Sequence, residues 1–169
     1  PVVAAAVILD PGRIPPGLDD SKKLNEAQRD ALFDPIMAAA RVGVGVADVA
    51  RIDRDNILAA TLWAMAEAAG QLGGLDLALV DGDRPPRLGC EVVTIVAGDS
   101  KSLSIAAASI IAKVTRDRLM IGLDRLFPNY GFARHKGYGT AFHHAALLRH
   151  GPCLHHRRSF KPVAALFAR

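Results

Sequence analysis

The chain has 169 residues, half of them apolar, and a formal net charge of +4. This size and composition predict one globular domain, residues 1–169. No run of 18 or more apolar residues occurs, so we expect no membrane span, and the apolar start has no basic leader that would indicate a signal peptide. The two cysteines lie far apart without a partner pattern, which predicts no disulfide or zinc site and favours a reducing, cytoplasmic location.

Charge is distributed unevenly along the chain. Residues 125–169 contain eight Lys or Arg, all six His and no Asp or Glu, whereas residues 1–124 contain 13 basic and 17 acidic residues. An acidic body with a basic C-terminal part is typical of a protein that binds a polyanion on one face. A solvated basic surface without a partner explains the charge pattern equally well.

The elements predicted along the chain alternate between strands and helices. The predicted strands are 2–9, 41–47, 75–80 and 91–96, and the predicted helices are 25–40, a segment from Asp53 or Asn56 to Gly70, 105–126, 141–149 and 162–168. Asn25 and Gln28 have the spacing of a capping box, and Pro35 predicts a kink or break near Asp34. This order predicts an α/β fold with a mixed central β-sheet flanked by helices and a helical, basic C-terminal region.

Acidic residues follow two of the predicted strands. Asp81 ends one apolar strand, and Asp99 comes shortly after the next. An Asp-Gly pair after a strand is more often a turn, but two carboxylates at neighbouring strand ends can converge on one point. Oxygen ligands suit Mg²⁺ or Mn²⁺, and a basic face beside such a site is the arrangement that a metal-dependent nuclease needs. Ser100 follows Asp99, and the polar side chains of Ser100, Lys101 and Ser102 could contact a phosphate or cap the following helix, for which Ser102 or Ser104 is a good N-cap.

Other polar residues have both a binding and a structural interpretation. Tyr138 lies in a Gly-rich basic loop, where its ring can stack on a sugar or base while Lys136 contacts a phosphate; packing is the alternative. Lys22 could contact phosphate or remain solvated, and of Arg157 and Arg158 we expect one to face nucleic acid. The adjacent histidines at 143–144 and 155–156 point about 100° apart on a helix and would chelate a metal poorly.

Seven segments, in order along nearly the whole chain, resemble one known family. They are 20–24 (DSKKL), 79–82 (LVDG), 98–100 (GDS), 106–117 (AAASIIAKVTRD), 130–133 (YGFA), 135–138 (HKGY) and 156–160 (HRRSF). Together they make the chain similar to the bacterial type 2 ribonucleases H, the ribonuclease HII family. Asp117 lies in a helical segment to which the resemblance gives no catalytic role, and we predict a structural pairing with a nearby arginine.

The resemblance implies a ribonuclease H-like fold and a monomer. It also implies Mg²⁺- or Mn²⁺-dependent cleavage of the RNA strand of RNA–DNA hybrids, and incision 5′ of single ribonucleotides embedded in duplex DNA. The family uses four metal-binding carboxylates, two of which match Asp81 and Asp99. Tyr138 matches the tyrosine that packs on the sugar at the RNA-to-DNA junction.

One part of the family pattern has no match in the chain. The family carries an adjacent Asp-Glu and then Gly-Arg-Gly shortly before the segment that corresponds to Pro1-Val2-Val3, and nothing in residues 1–169 matches them. Two of the four carboxylates are therefore absent, and we expect the chain as given to bind metal weakly and cleave little. A non-catalytic nucleic-acid-binding fragment is the alternative. A different α/β phosphoryl enzyme is disfavoured, because no Gly-x-x-x-x-Gly-Lys loop occurs.

Overall fold

A computed structural model describes residues 1–167 as an α/β protein. The strands are β1 (Val2–Leu9), β2 (Ala40–Ala47), β3 (Leu77–Asp81) and β4 (Glu91–Ile95). The helices are α1 (Glu26–Ala39), α2 (Val49–Asp55), α3 (Ile57–Gly70), α4 (Leu103–Leu126), α5 (Phe132–His135), α6 (Ala141–His150) and α7 (Lys161–Phe167), with 3₁₀ turns at Gly98–Ser100 and Pro128–Tyr130. Ala168, the last residue of the predicted C-terminal helix, lies outside the described residues.

The four strands form two separate pairs. β1 and β2 are antiparallel, in a register that runs from Val2 opposite Ala47 to Leu9 opposite Ala40. β3 and β4 are parallel and end together, with Asp81 opposite Ile95. The α/β class is confirmed, but in the described residues the strands do not join into one continuous mixed sheet. A cavity of about 580 Å³, lined by both β1 and β3, separates the two pairs.

Small residues set the distance between β2 and α3. Gly43 and Gly45 face this helix, and a Cβ atom built on either glycine would lie 2.0 Å from a backbone carbonyl oxygen of Ala68 or Ala64. Ala60 and Ala64 are fully buried at the same interface. The strand and helix backbones therefore approach more closely than any larger residue on β2 would permit.

Helix α4 is the central helix of the fold. Ile110 and Ile111 are fully buried, in a cluster to which Ile36 of α1 also belongs and against which Val7 of β1 packs. Its C-terminal half reaches a second cluster, in which Met120 packs with residues of the C-terminal region such as Phe132. This helix therefore connects the strands to the basic C-terminal part.

Local sequence signals located most of the helix ends. Asn25 and Gln28 form the predicted capping box at the start of α1. Asn56, the later of the two predicted start positions, caps α3, whereas the short helix α2 was not predicted. Helix α1 continues through Pro35 without the predicted break, because the proline is exposed while its neighbour Ile36 is fully buried and anchors the helix. Among residues 1–167, no helix is both long enough and apolar enough to cross a membrane.

Candidate active site

The ends of the parallel strands bring Asp81 and Asp99 to one edge of the molecule. β3 ends at Asp81, and the chain leaving β4 turns through Ala97, in a left-handed conformation, into the 3₁₀ turn that contains Asp99. The Gly98 amide donates a hydrogen bond of 2.8 Å to Asp81 Oδ1. A Cβ atom on Gly98 would lie 2.7 Å from Ile105 Cδ1 and 3.4 Å from Asp81 Oδ1, so a larger residue here would require the Ile105 side chain to move.

Asp99 is a buried carboxylate with a lysine partner. Its side chain is 3% exposed, and Lys22 Nζ lies 2.9 Å from its Oδ2. The hydrogen bond from Lys22 lowers the pKa of Asp99, although burial acts in the opposite direction. The same contact raises the pKa of Lys22, to which the negative charge of Asp81 also contributes. Both carboxylates therefore lie within electrostatic reach of this one ammonium group.

Lys22, which we predicted as a phosphate contact, thus forms an ion pair with Asp99 in this structure. Its ammonium group is also 3.9 Å from Asp20, while its side chain is 77% exposed. A long, exposed lysine side chain has several rotamers available. Lys22 can therefore leave Asp99 for another anion at modest cost, and Asp99 is then available to a cation.

The donor set at this edge suits a hard divalent cation. Mg²⁺ commonly binds through one or two carboxylates and completes its coordination with water and substrate phosphates. Asp81 and Asp99 supply two such groups. Within residues 1–167, however, no three His, Cys, Asp or Glu side chains are grouped so that they could hold a metal. The residues fit Mg²⁺ or Mn²⁺ as part of a ligand set.

Ser100 and Ser102 have structural roles in the turn after β4. Ser100 is exposed, and its hydroxyl donates to the Ala97 carbonyl at 2.8 Å. Ser102 is the N-cap of α4, where its hydroxyl accepts from the Ile105 amide. The structure therefore shows Ser100 closing the turn rather than extending toward a ligand.

Tyr138 is exposed beside two cationic side chains of α4. Its side chain is 62% exposed. The Arg116 guanidinium carbon is 5.6 Å from the ring centroid, and Lys113 Nζ is 5.9 Å from it. Lys113 lines both the cavity beside Asp81 and a second cavity of about 560 Å³ that Tyr138 lines. It therefore connects the acidic edge with the tyrosine, a role that its position inside a helical sequence pattern does not reveal.

Two of the predicted basic contacts are engaged within the protein. Lys136 Nζ donates to the Ala133 carbonyl at 2.6 Å and lies 3.6 Å from Glu26, with its side chain 13% exposed. Arg157 is half-buried, with its guanidinium carbon 5.3 Å from the centroid of the Phe160 ring. The structure does not present either group as a free cation beside Tyr138.

Two further acids have structural partners. Asp117 pairs with Lys113 at 2.8 Å, one turn earlier on α4, so its partner is a lysine rather than the predicted arginine. Asp53 accepts hydrogen bonds from the Arg158 and Ser159 amides at 2.8 and 3.0 Å. Asp53 therefore ties the basic C-terminal segment to α2.

Similarity to solved structures agrees with this arrangement and defines the class as ribonuclease H-like. A ribonuclease HII chain from Archaeoglobus fulgidus, solved in complex with PCNA, is 27% identical with a TM-score of 0.76, and the match covers 97% of this chain and 88% of that one. The ribonuclease H2 of Pyrococcus horikoshii has the same fold, at 24% identity and a TM-score of 0.77, over 100% and 92% of the two chains.

Sequence comparison shows to which family of ribonucleases H the chain belongs. The family model for ribonuclease HII matches residues 1–163, and the chain belongs to the ribonuclease HII family. Ribonuclease HII of Azorhizobium caulinodans is 63% identical over 166 residues, which cover 98% of this chain and 64% of the relative. That of Xanthobacter autotrophicus is 62% identical over 164 residues, 96% and 66% of the two chains. The chain thus spans slightly less than two thirds of the length of these relatives.

Proposed function

We propose that the protein is a Mg²⁺- or Mn²⁺-dependent endoribonuclease. It cleaves the RNA strand of RNA–DNA hybrids and nicks duplex DNA on the 5′ side of a single embedded ribonucleotide. The observation that carries this proposal is the convergence of Asp81 and Asp99 at the ends of two parallel strands, next to Lys22. Similarity to ribonuclease HII proteins over nearly the whole chain supports the substrate class. The proposed setting is the cytoplasm, and the proposed form is a monomer.

Asp81 and Asp99 would hold the cation. A divalent cation in such a site lowers the pKa of a water molecule and offsets the negative charge that develops on a phosphodiester undergoing hydrolysis. The Gly98 amide would keep the Asp81 carboxylate oriented for this role through its hydrogen bond to Oδ1. Lys22 is the counter-ion of Asp99 in this structure, and with a cation held by Asp99 its ammonium group would be available to a substrate phosphate.

The resemblance implies two further carboxylates, carried by a strand with an adjacent Asp-Glu. The cavity between β1 and β3 supports the proposal that this strand lies between them. Among residues 1–167, β1 pairs only with β2 and β3 pairs only with β4, and Asp81 itself lines the cavity. A strand in this position would join the two pairs into one mixed sheet and carry its acids to the same edge as Asp81.

Tyr138 would pack on the sugar at the RNA-to-DNA junction. Its exposed ring offers a stacking surface, and Arg116 provides positive charge next to it for a flanking phosphate, whereas Lys113 is paired with Asp117. The A-like minor groove of a hybrid displays 2′-hydroxyl groups, which distinguish a ribonucleotide from its DNA neighbours. The basic residues of 125–169 would hold the rest of the duplex.

One observation favours a second candidate, a nucleic-acid-binding fragment without catalysis. In the part of the chain that the structure describes, Asp20 and Asp99 both lie near Lys22, but no three His, Cys, Asp or Glu side chains are grouped so that they could hold a metal. Binding through phosphates alone would weaken with salt and would not respond to removal of Mg²⁺. The requirement for a divalent cation therefore separates the two candidates.

The testing experiment uses a DNA duplex with one embedded ribonucleotide, labelled at the 5′ end of the ribonucleotide strand. The chain is incubated with it in Mn²⁺ or Mg²⁺, alone and after extension by a family-type Asp-Glu/Gly-Arg-Gly segment before Pro1. Asp81→Asn removes one proposed ligand. Asp83→Asn is the matched control, because Asp83 lies two residues beyond Asp81, in the loop after β3, and its side chain is exposed next to Arg84.

The proposal predicts a nick on the 5′ side of the ribonucleotide for the extended chain, which Asp81→Asn abolishes and Asp83→Asn retains. The chain without the extension should nick weakly or not at all. An extended chain that folds and binds the duplex but makes no nick in either metal would refute the nuclease assignment and favour the binding fragment.

A further inference from the structure

Three histidines are buried beneath the loop that carries Tyr138. His135, His143 and His156 are 6%, 2% and 7% exposed, although they come from three separate segments. The rings of His135 and His143 stack with centroids 4.4 Å apart and planes at 16°. The neighbouring histidine at 144 is exposed. The adjacent pairs in the sequence therefore split, and one member of each pair joins a common cluster.

The hydrogen bonds of this cluster have one consistent direction. A carbonyl oxygen can only accept, so His143 Nδ1, at 3.0 Å from the Tyr138 carbonyl oxygen, carries the hydrogen. In the neutral ring, His143 Nε2 must then accept from His156 Nε2, which lies 3.0 Å away. His156 Nδ1 in turn accepts from the Cys153 amide at 3.0 Å. Each imidazole thus has a single tautomer.

His135 holds the other side of the same loop. Its Nε2 donates to the Tyr130 carbonyl at 2.7 Å, and its Nδ1 accepts from the Gly137 amide at 3.1 Å. The backbone is therefore fixed immediately before Tyr138 through Gly137 N, and at Tyr138 itself through its carbonyl.

The backbone at this place needs such support. Lys136 has φ of 49° and Gly137 has φ of 82°, and a left-handed conformation is unfavourable for a lysine. A Cβ atom on Gly137 would lie 3.2 Å from the Met120 side chain, so the loop is also packed tightly from below. A turn of this kind persists where surrounding bonds determine it.

We propose that His135, His143 and His156 form a histidine clamp whose function is to position Tyr138 for the substrate. The three side chains are positioning residues, since they act on the Tyr138 backbone and not on the substrate. This inference rests on the proposed function only for the identity of the substrate; the clamp itself is a property of the free protein.

Two spectroscopic measurements test the clamp without nuclease activity. Long-range ¹H–¹⁵N correlation of the imidazoles should show the ring hydrogen of His143 on Nδ1, and those of His135 and His156 on Nε2. The chain contains two tyrosines, one buried and one exposed, so 3-fluorotyrosine labelling gives two ¹⁹F signals that Tyr130→Phe assigns.

Substitutions at His143 then separate positioning from general packing. His143→Phe fills the space but removes the donor to the Tyr138 carbonyl, and should shift and sharpen the Tyr138 fluorine signal. His143→Asn places an amide donor near the Nδ1 position and should restore the signal. His150→Phe, on the exposed end of the same helix, is the matched control and should leave the Tyr138 signal unchanged. Its ring lies 6.3 Å from that of Tyr130, so only the Tyr130 signal can respond.

Binding to the duplex with one ribonucleotide, in Ca²⁺ and relative to an all-DNA duplex, gives the functional result. His143→Phe should weaken selective binding about tenfold, as expected when a stacking aromatic is displaced. An unchanged fluorine signal in His143→Phe, or an Nε2-protonated His143, would overturn the clamp. If Tyr138→Ala itself keeps selective binding, the proposed role of Tyr138 fails instead, and the fluorine and imidazole spectra still decide the clamp.

Discussion

Gly45 offers a stringent test of the packing between β2 and α3. A Cβ atom at this position would lie 2.0 Å from the Ala64 carbonyl oxygen and 2.8 Å from its carbonyl carbon. Normal contacts are about 3.5 Å, so strand and helix would have to separate by roughly 1 Å or more. The obstacle is backbone rather than a movable side chain, and the fully buried Ala60 and Ala64 would lose contacts as the elements move apart.

We therefore expect Gly45→Ala to lower the free energy of unfolding by about 3 kcal/mol, at the upper end of the cost of overpacking. Gly122→Ala is the control. Gly122 lies in α4 with no atom within 4 Å of its would-be Cβ, so alanine there should stabilise by about 0.5–1 kcal/mol through helix propensity. Urea unfolding followed by circular dichroism measures both. A loss below about 1 kcal/mol for Gly45→Ala would refute the close approach.

Three other predictions concern the buried histidines, Lys22 and Asp53. Burial lowers the pKa of His143, and it lowers that of His156 to about 4, so below pH 6.5 the unfolded chain binds protons that the folded chain does not. The free energy of unfolding, measured by urea unfolding, should therefore fall by about 2 kcal/mol between pH 6.5 and 4.5. His156→Gln should make the free energy of unfolding depend less on pH in this range. Lys22→Gln should raise the pKa of Asp99 in a carboxyl ¹³C titration. Lys23→Gln, which loses its ion pair with Asp19 and only a longer-range attraction to Asp99, should raise it much less. Asp53→Ala should speed amide hydrogen exchange at Arg158 and Ser159 and leave exchange in α4 as it was. Exchange rates at Arg158 and Ser159 that do not differ between the variant and the unaltered chain would contradict the tether.

Local signals in the sequence account for the parts of the fold that were predicted correctly. Asn25 and Asn56 are helix caps whose partners lie three residues away, and the alternation in 41–47 is a strand pattern that depends only on near neighbours. The need for glycine at 43 and 45 could not be predicted from the strand sequence, because these residues contact the backbone of Ala68 and Ala64 in α3, which follows later in the chain.

Non-local pairing explains what the sequence did not reveal. Nothing in the strand segments themselves indicated that β1 and β3 would remain apart, since that depends on what lies between them. Asp81 and Asp99 were predictable as neighbours because parallel strands end at the same edge. The histidine clamp joins residues 135, 143 and 156 through backbone atoms, and adjacent histidines in a sequence give no sign of which one turns inward.

The most direct measurement of the central claim is where a divalent cation binds. Substoichiometric Mn²⁺ broadens the ¹H–¹⁵N signals of nearby amides, even when binding is weak. We predict that broadening concentrates at Asp81 and at residues 98–100, that excess Mg²⁺ reverses it, and that Asp81→Asn removes it while Asp83→Asn does not. Broadening centred elsewhere, or unaltered by Asp81→Asn, would contradict the assignment of Asp81 and Asp99 as the cation site.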